Sequence, residues 1–178
     1  MAILTKKLVT QTCAPTPKQS EKLPFHIPVK VGLLNDQGES LVEETVLELT
    51  QPTQTFEFNN IKNKPIPSLL RQFSAPVKLH YAYSNDDLLF LMKHDTDGFN
   101  RWDAVQTLSV RIVQRLIESI KSNQKLSVPL PYIEAIRTIL KDTSLDKAMV
   151  CKLLILPAES YLVQLSEESD IDFVHQAR

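Results

Sequence analysis

Glycine is scarce in this 178-residue chain: Gly32, Gly38 and Gly98 are the only three, each isolated. A loop that cradles phosphate needs clustered glycines, so that backbone N–H groups can approach the anion. Phosphate-loop chemistry is therefore excluded. The G-x-S-x-G turn that presents a hydrolase serine is also missing. Cysteine is limited to Cys13 and Cys151, near opposite ends, which predicts two reduced thiols and no disulfide framework. The four histidines include no H-E-x-x-H and no pair at the helical spacing that puts two imidazoles on one zinc. No apolar run approaches the roughly 20 residues of a membrane span. Leu8-Val9 falls short of the apolar core of a secretory signal, about 7–15 residues. Neither charge sign dominates. With a net charge of −1 and a pI near 6.4, the Lys/Arg excess of a nucleic-acid surface is absent. The expectation is a cytoplasmic protein with no membrane and no nucleic-acid partner.

What is present is an ordinary globular composition, 43% hydrophobic and 23% charged. The length suits one substantial domain or two small ones. Eight of the eleven prolines precede residue 77. Residues 1–85 carry a balance of +2 and residues 86–178 a balance of −3. Composition and hydrophobic period shift at the same place, which predicts domains at 1–85 and 86–178.

The first region alternates in the two-residue period of strands. Ile27, Val29, Val31 and Leu33 alternate cleanly, with Pro28 suited to a strand start or an edge. Asn35–Gly38 reads as a turn, Leu41–Leu49 as a second strand, and Thr55–Phe58 as a third with both phenylalanines on one face. Pro65 and Pro67 bracket another turn before Ser68–Phe73. Val77, Leu79 and Tyr81 alternate with Lys78 and His80 as the last strand, Val77–Tyr83. Six or seven short strands without helices between them predict an antiparallel β-sandwich.

From Ser84 onward the period becomes helical. Ser84 and the acids after it suit a helix start, giving a short helix over Leu88–His94. Asn100 is expected to cap a long helix to about Ser122, with Trp102, Val105, Leu108, Ile112, Leu116 and Ile120 on one face. Pro131 suits the first position of a helix ending at Lys141. Further helices are expected from Ser144 to before Pro157 and over Glu159–Leu165. Asp170–Arg178 reads as a helix that stops without a breaker, which suggests a fragment. The chain as a whole is α+β.

Candidate chemistry has a plain structural reading at each position. His26 and His80 fall in predicted strands and lack a third ligand. His94 and Asp95 could form a base with its orienting carboxylate, although neighbours on a helix end usually point apart. Asp95-Thr96-Asp97-Gly98 places its glycine too early for a calcium loop and reads as a helix break. Trp102 reads as core, and Cys151 as a small buried hydrophobe.

Four blocks together resemble the bacterial aminopeptidase N family of zinc exopeptidases: EKLPFHIPVKVGLL, TFEFNNI, PSLLRQFSAPVKL and LLFLMKHDTDGFNRWDAVQTL. The resemblance implies an immunoglobulin-like β-sandwich followed by the first helices of an all-α, superhelix-type domain. It also implies a parent enzyme several times longer that uses zinc to remove N-terminal residues from peptides. The family's zinc and catalytic motifs lie upstream of the matched region, so no catalytic, cofactor or metal role carries onto any residue here. The implied role is architectural: joining a catalytic domain to a helical cap, with both as partners and with self-association through cut surfaces. Val77, Leu79 and Tyr81 would anchor the last strand, and Phe90, Phe99 and Trp102 would pack the first helices against the sandwich. Arg71, Arg101 and Asp103 are candidates for polar links there. The rival readings are a free-standing peptide- or protein-binding module and an enzyme centred on His94 and Asp95.

Overall fold

A computed structural model describes residues 3–61, 64–165 and 171–178, without the side chains of residues 3–5 and 60. It divides into two units, Met1–Tyr81 and Ala82–Arg178.

In the first unit, β1 (Ile3–Thr10) pairs antiparallel with β4 (Thr53–Ile61). In the second sheet, β2 (Ile27–Leu34) lies between β3 (Thr45–Leu49) and β5 (Ile66–Leu69), antiparallel to both. Alternation decides which side chains meet. Val29, Val31 and Leu33 of β2 join Leu49 of β3 with Phe58 and Ile61 of β4, and Phe56 packs on the same cluster. The Asn35–Gly38 turn forms as expected. Asn35 Oδ1 accepts the N–H groups of Gln37 and Glu39 at 2.9 and 2.8 Å, and Gly38 takes a φ of 88° that favours glycine.

Several expectations are corrected here. Among the described residues there are five strands, not six or seven. Ile3–Thr10, unforeseen as a strand, is one of them. The second strand shortens to Thr45–Leu49, although Leu41 and Val42 still pack on the core. Pro67 lies inside β5 and not in a turn, and Pro28 stands within β2 opposite Glu48. Residues 77–83 belong to no strand. Val77, Leu79 and Tyr81, expected to anchor a last strand, are 37%, 41% and 38% exposed. Their alternation defines a shared face, while a strand also needs a backbone partner, which a local pattern does not supply.

A buried arginine holds the strained end of this unit. After β5 the chain turns through Arg71–Phe73, with Leu70, Gln72 and Phe73 at φ values of 54°, 56° and 53°. Such non-glycine conformations cost about 1–3 kcal/mol each and persist where surroundings over-determine them. Arg71 Nε donates to Glu44 Oε2 at 2.7 Å and Nη1 to Ser68 Oγ at 3.1 Å. Lys30 reaches both Glu44 and Gln72, at 2.5 and 2.7 Å. Its hydrogen bond, with Arg71 adding to it, holds the Glu44 carboxyl below its ordinary range. The Arg71 side chain lies across Gly32, where a Cβ would stand 2.9 Å from Nη1 and 3.2 Å from Cδ.

The second unit is helical. α1 (Asn85–His94) opens on a capping box: Ser84 Oγ accepts the Asp87 N–H at 3.0 Å, and the Ser84 N–H donates to Asp87 Oδ2 at 2.9 Å. α2 (Gly98–Lys121), α3 (Leu130–Lys141), α4 (Lys147–Leu154), α5 (Glu159–Gln164) and α6 (Ile171–Ala177) follow. Three starts differ from expectation. Asp97 caps α2 in place of Asn100, Pro131 is the second residue of α3, and Asp146, not Ser144, caps α4. Asp170, expected to open the last helix, lies outside the described residues. Helix α2 buries Val105, Leu108, Ile112 and Leu116 as expected, and also Ala104, Val113 and Ile117. The second stripe is needed because α2 packs against α1 and also against α6. Val113 and Ile117 join Leu162 and Val174 there. Cys151 is exposed, not buried, because Leu153 and not Cys151 is the α4 residue that faces inward.

Gly32→Ala is expected to destabilise the sandwich by roughly 1–3 kcal/mol, as overpacking against a pinned side chain does. In an Arg71→Ala background the same substitution should cost much less, since the atoms it strikes are gone. Hydrogen exchange of β2 amides in the four proteins of this cycle measures both values.

Candidate functional site at a buried arginine

The loop between α1 and α2 is built from its own carboxylates. Asp95 ends α1, its N–H donating to the Leu91 carbonyl at 2.9 Å. Asp95 Oδ1 then accepts the Asp97 N–H, and Asp97 Oδ1 accepts the Asn100 N–H, both at 2.9 Å. Asp95, Asp97 and Asn100 are all buried. Both acids therefore serve backbone donors that would otherwise lack partners where α2 begins. The bond from Asp97 to the amide three residues on explains why the cap stands before Gly98.

One helical turn later, Arg101 folds back over this loop. Its Nε donates to the Met92 carbonyl at 2.9 Å, and Nη2 to the Lys93 carbonyl at 2.8 Å. Nη2 also stands 3.5 Å from Asp142 Oδ2, at the end of α3. The planar guanidinium thus satisfies two terminal carbonyls of α1 and ties α2 to the end of α3. Burial pulls the Arg101 pKa down, while Asp142 and Asp95 oppose that shift. An arginine stays protonated through any such change. Asp142 lies below the usual carboxylate range, chiefly through the Ser144 hydroxyl and amide, with Arg101 adding to them.

Arg101 is a candidate for a polar link at the junction. It turns inward, with Nε and Nη2 meeting Met92, Lys93 and Asp142. Arg71 is likewise buried, against Glu44 and Ser68. The sign was available in the sequence, because Arg101 falls in register with Val105, Leu108 and Ile112 on the buried stripe. Its partner Asp142, 41 residues on, had no such signal. Asp103 is exposed. Phe90 and Trp102 are half-buried and Phe99 is 38% exposed; the Phe99 and Trp102 rings lie 6.0 Å apart.

The other candidates do not assemble into a catalytic group. His94 rests its ring against Phe90, with centroids 5.0 Å apart, and makes no hydrogen bond with the neighbouring Asp95. Partial burial, then Lys93 and Arg101, hold the His94 pKa below its ordinary value. His26 pairs with Glu48 at 3.7 Å, and His175 with Glu159 at 3.2 Å. His80 lies in the unladdered segment and not in a strand. Among the described residues no three of His, Cys, Asp and Glu come close enough to hold a metal ion. None of the described helices is long and apolar enough to cross a membrane.

Arg101→Met should lower the stability of the helical unit by about 2–3 kcal/mol, because buried carbonyls and Asp142 lose their donor. Arg101→Lys keeps the charge without the fork and should recover less than half of that loss; denaturant unfolding followed by circular dichroism at 222 nm reads both. The lowered Asp142 pKa also fixes a sign. Its contribution is fully present above about pH 5 and is lost as pH falls through the depressed value. The drop in stability between pH 5 and pH 3 should therefore be smaller in Asp142→Asn than in the native chain.

Comparison with known proteins places both units. Residues 5–82 match a domain of unknown function, DUF3458, described as an Ig-like fold, and residues 85–178 match its companion DUF3458_C, described as ARM repeats. Aminopeptidase N of Escherichia coli is 36% identical over 91% of the chain, and that of Haemophilus influenzae 35% over 96%. The chain spans about a fifth of those relatives, 19% and 20%. The crystal structure of Legionella pneumophila aminopeptidase A in complex with aspartic acid superposes with a TM-score of 0.77 at 29% identity, covering 99% of this chain and 21% of that one. With both units matched along their lengths, the chain belongs to the DUF3458 family, the Ig-like and ARM-repeat pair that it shares with bacterial aminopeptidase N.

Proposed function

We propose that this chain is the spacer of an aminopeptidase-N-type enzyme, joining a catalytic domain to a helical cap. The observation that carries the reading is the join itself. The two family matches end at residue 82 and begin at residue 85, and Ser84 is already the cap of α1. Domain matches that follow one another so closely suit a part that joins two larger pieces of one enzyme.

The family implies zinc and peptide hydrolysis for the whole enzyme. The described histidines and carboxylates of this chain do not fit a zinc site, since no three of them come together and the acids Asp95 and Asp97 accept backbone amides. No step of the reaction is assigned to them. On this reading Val77, Leu79 and Tyr81 stand on the sandwich side of the junction, and Phe90, Phe99, Trp102 and Asp103 on the helical side. Exposed apolar residues such as Ile155, Tyr161 and Ile171 would be covered by the rest of the enzyme, or by a second copy in the isolated chain.

Two measurements test the reading. Six Gly/Ser residues inserted into E. coli aminopeptidase N, at the position aligned with Tyr83 and Ser84, should reduce kcat/KM about tenfold or more with zinc content unchanged. Unaltered kcat/KM would overturn the spacer role. The purified 178-residue chain should not turn over an aminoacyl chromogenic substrate with zinc added, and turnover at purity would restore the enzyme reading.

A further inference from the structure

In the second unit, α1 packs along α2, and two arginines of α2 meet its two ends. Arg101 takes the last carbonyls of α1, at Met92 and Lys93. Arg111 stands about three turns further along α2. It lies on the flank of the buried stripe, three residues beyond Leu108 and seven beyond Ala104. Its Nη1 donates to the Tyr83 carbonyl at 3.0 Å and to Asn85 Oδ1 at 2.8 Å. A terminal guanidinium nitrogen carries two N–H groups, so both bonds are made at once.

The two acceptors flank Ser84, whose own amide and hydroxyl are taken by the capping box with Asp87. They also mark the entry to the second unit, which begins at Ala82. Ala82, Ser84 and Asn85 are exposed, so apolar burial does little to hold them. A segment with few buried contacts opens easily unless hydrogen bonds to a rigid element restrain it. Arg111 supplies those bonds from the long helix, where it is itself half-buried beside Ile112. The Tyr83 side chain, also half-buried, is the rival anchor.

We propose that Arg111 is a positioning residue, a clasp that fastens residues 83–85 to the middle of α2. The entry is then a rigid part of the helical unit, and the chain loses its freedom at Tyr83 instead of within the first turn of α1. Arg101 and Arg111 together clip α1 to the long helix at both ends, through different acceptors. The inference concerns the second unit alone and stands whether or not the spacer reading holds. On that reading, Arg111 is the grip of the helical unit on the join.

Backbone nitrogen relaxation, measured by NMR on the full chain, tests it. The order parameters of Tyr83, Ser84 and Asn85 should be about 0.8 or above in the native chain and fall below about 0.6 in Arg111→Met. Leu88–Leu91 should keep their native values in that variant, because the lost bonds lie only at the start of α1. Arg111→Gln, too short to reach both acceptors, is read in the same way should the methionine variant not fold. Native values below about 0.8 at residues 83–85 overturn the proposal with no variant needed. Values that stay above about 0.6 without Arg111 also overturn it, and Tyr83→Ala then shows whether that side chain is the anchor. Loosening that spreads through Leu88–Leu91, or loss of the fold in both variants, overturns it as well, since Arg111 would then support the whole helix and not its entry.

Discussion

Three helix ends meet around Arg101. Its guanidinium takes the last carbonyls of α1 at Met92 and Lys93, stands in the first turn of α2, and reaches Asp142 where α3 finishes. A buried cation is costly unless its donors are used. Here the fork meets two carbonyls and a carboxylate whose positions are all set by helix geometry. That makes the turn between α1 and α2 a fixed corner, and the rest of the helical unit packs along the long helix that leaves it. The acids Asp95 and Asp97 complete the corner by holding the backbone amides that the break in the helix exposes.

The sandwich solves a similar problem with the same chemistry. Arg71 is buried against Ser68 and Gly32 and paired with Glu44, and it pins a turn whose backbone is left-handed at three residues. Each unit thus has an internal arginine that holds an irregular segment in place. Each corner is thereby fixed within its own unit.

Much of the helical unit was readable from local pattern. Ser84 and the acids after it announced the start of α1, and the stripe from Val105 to Leu116 announced the buried face of α2. The second stripe at Val113 and Ile117 was not readable, because it exists only where α6 returns to the long helix. The sandwich was less legible. Ile3–Thr10 is a strand because β4 is beside it, although its lysines gave it a polar look. Val77–Tyr83 has a better strand pattern and no ladder. Exposed Cys151 shows the same limit, since neighbouring apolar residues do not say which side of a short helix faces inward.

The sequence by itself determined the division into a strand-forming and a helix-forming region, the resemblance to aminopeptidase N, and the absence of the motifs that carry its chemistry. These rest on residue type and short spacing, which need no knowledge of what lies across the fold. Only the tertiary structure decided that Arg71 and Arg101 turn inward, that Asp97 and not Asn100 begins α2, and that residues 77–83 belong to no strand. Each depends on a partner distant in sequence or on which of two nearby acceptors wins an amide. Hydrogen bonds and burial settle such choices in three dimensions, where hydrophobic period carries no information.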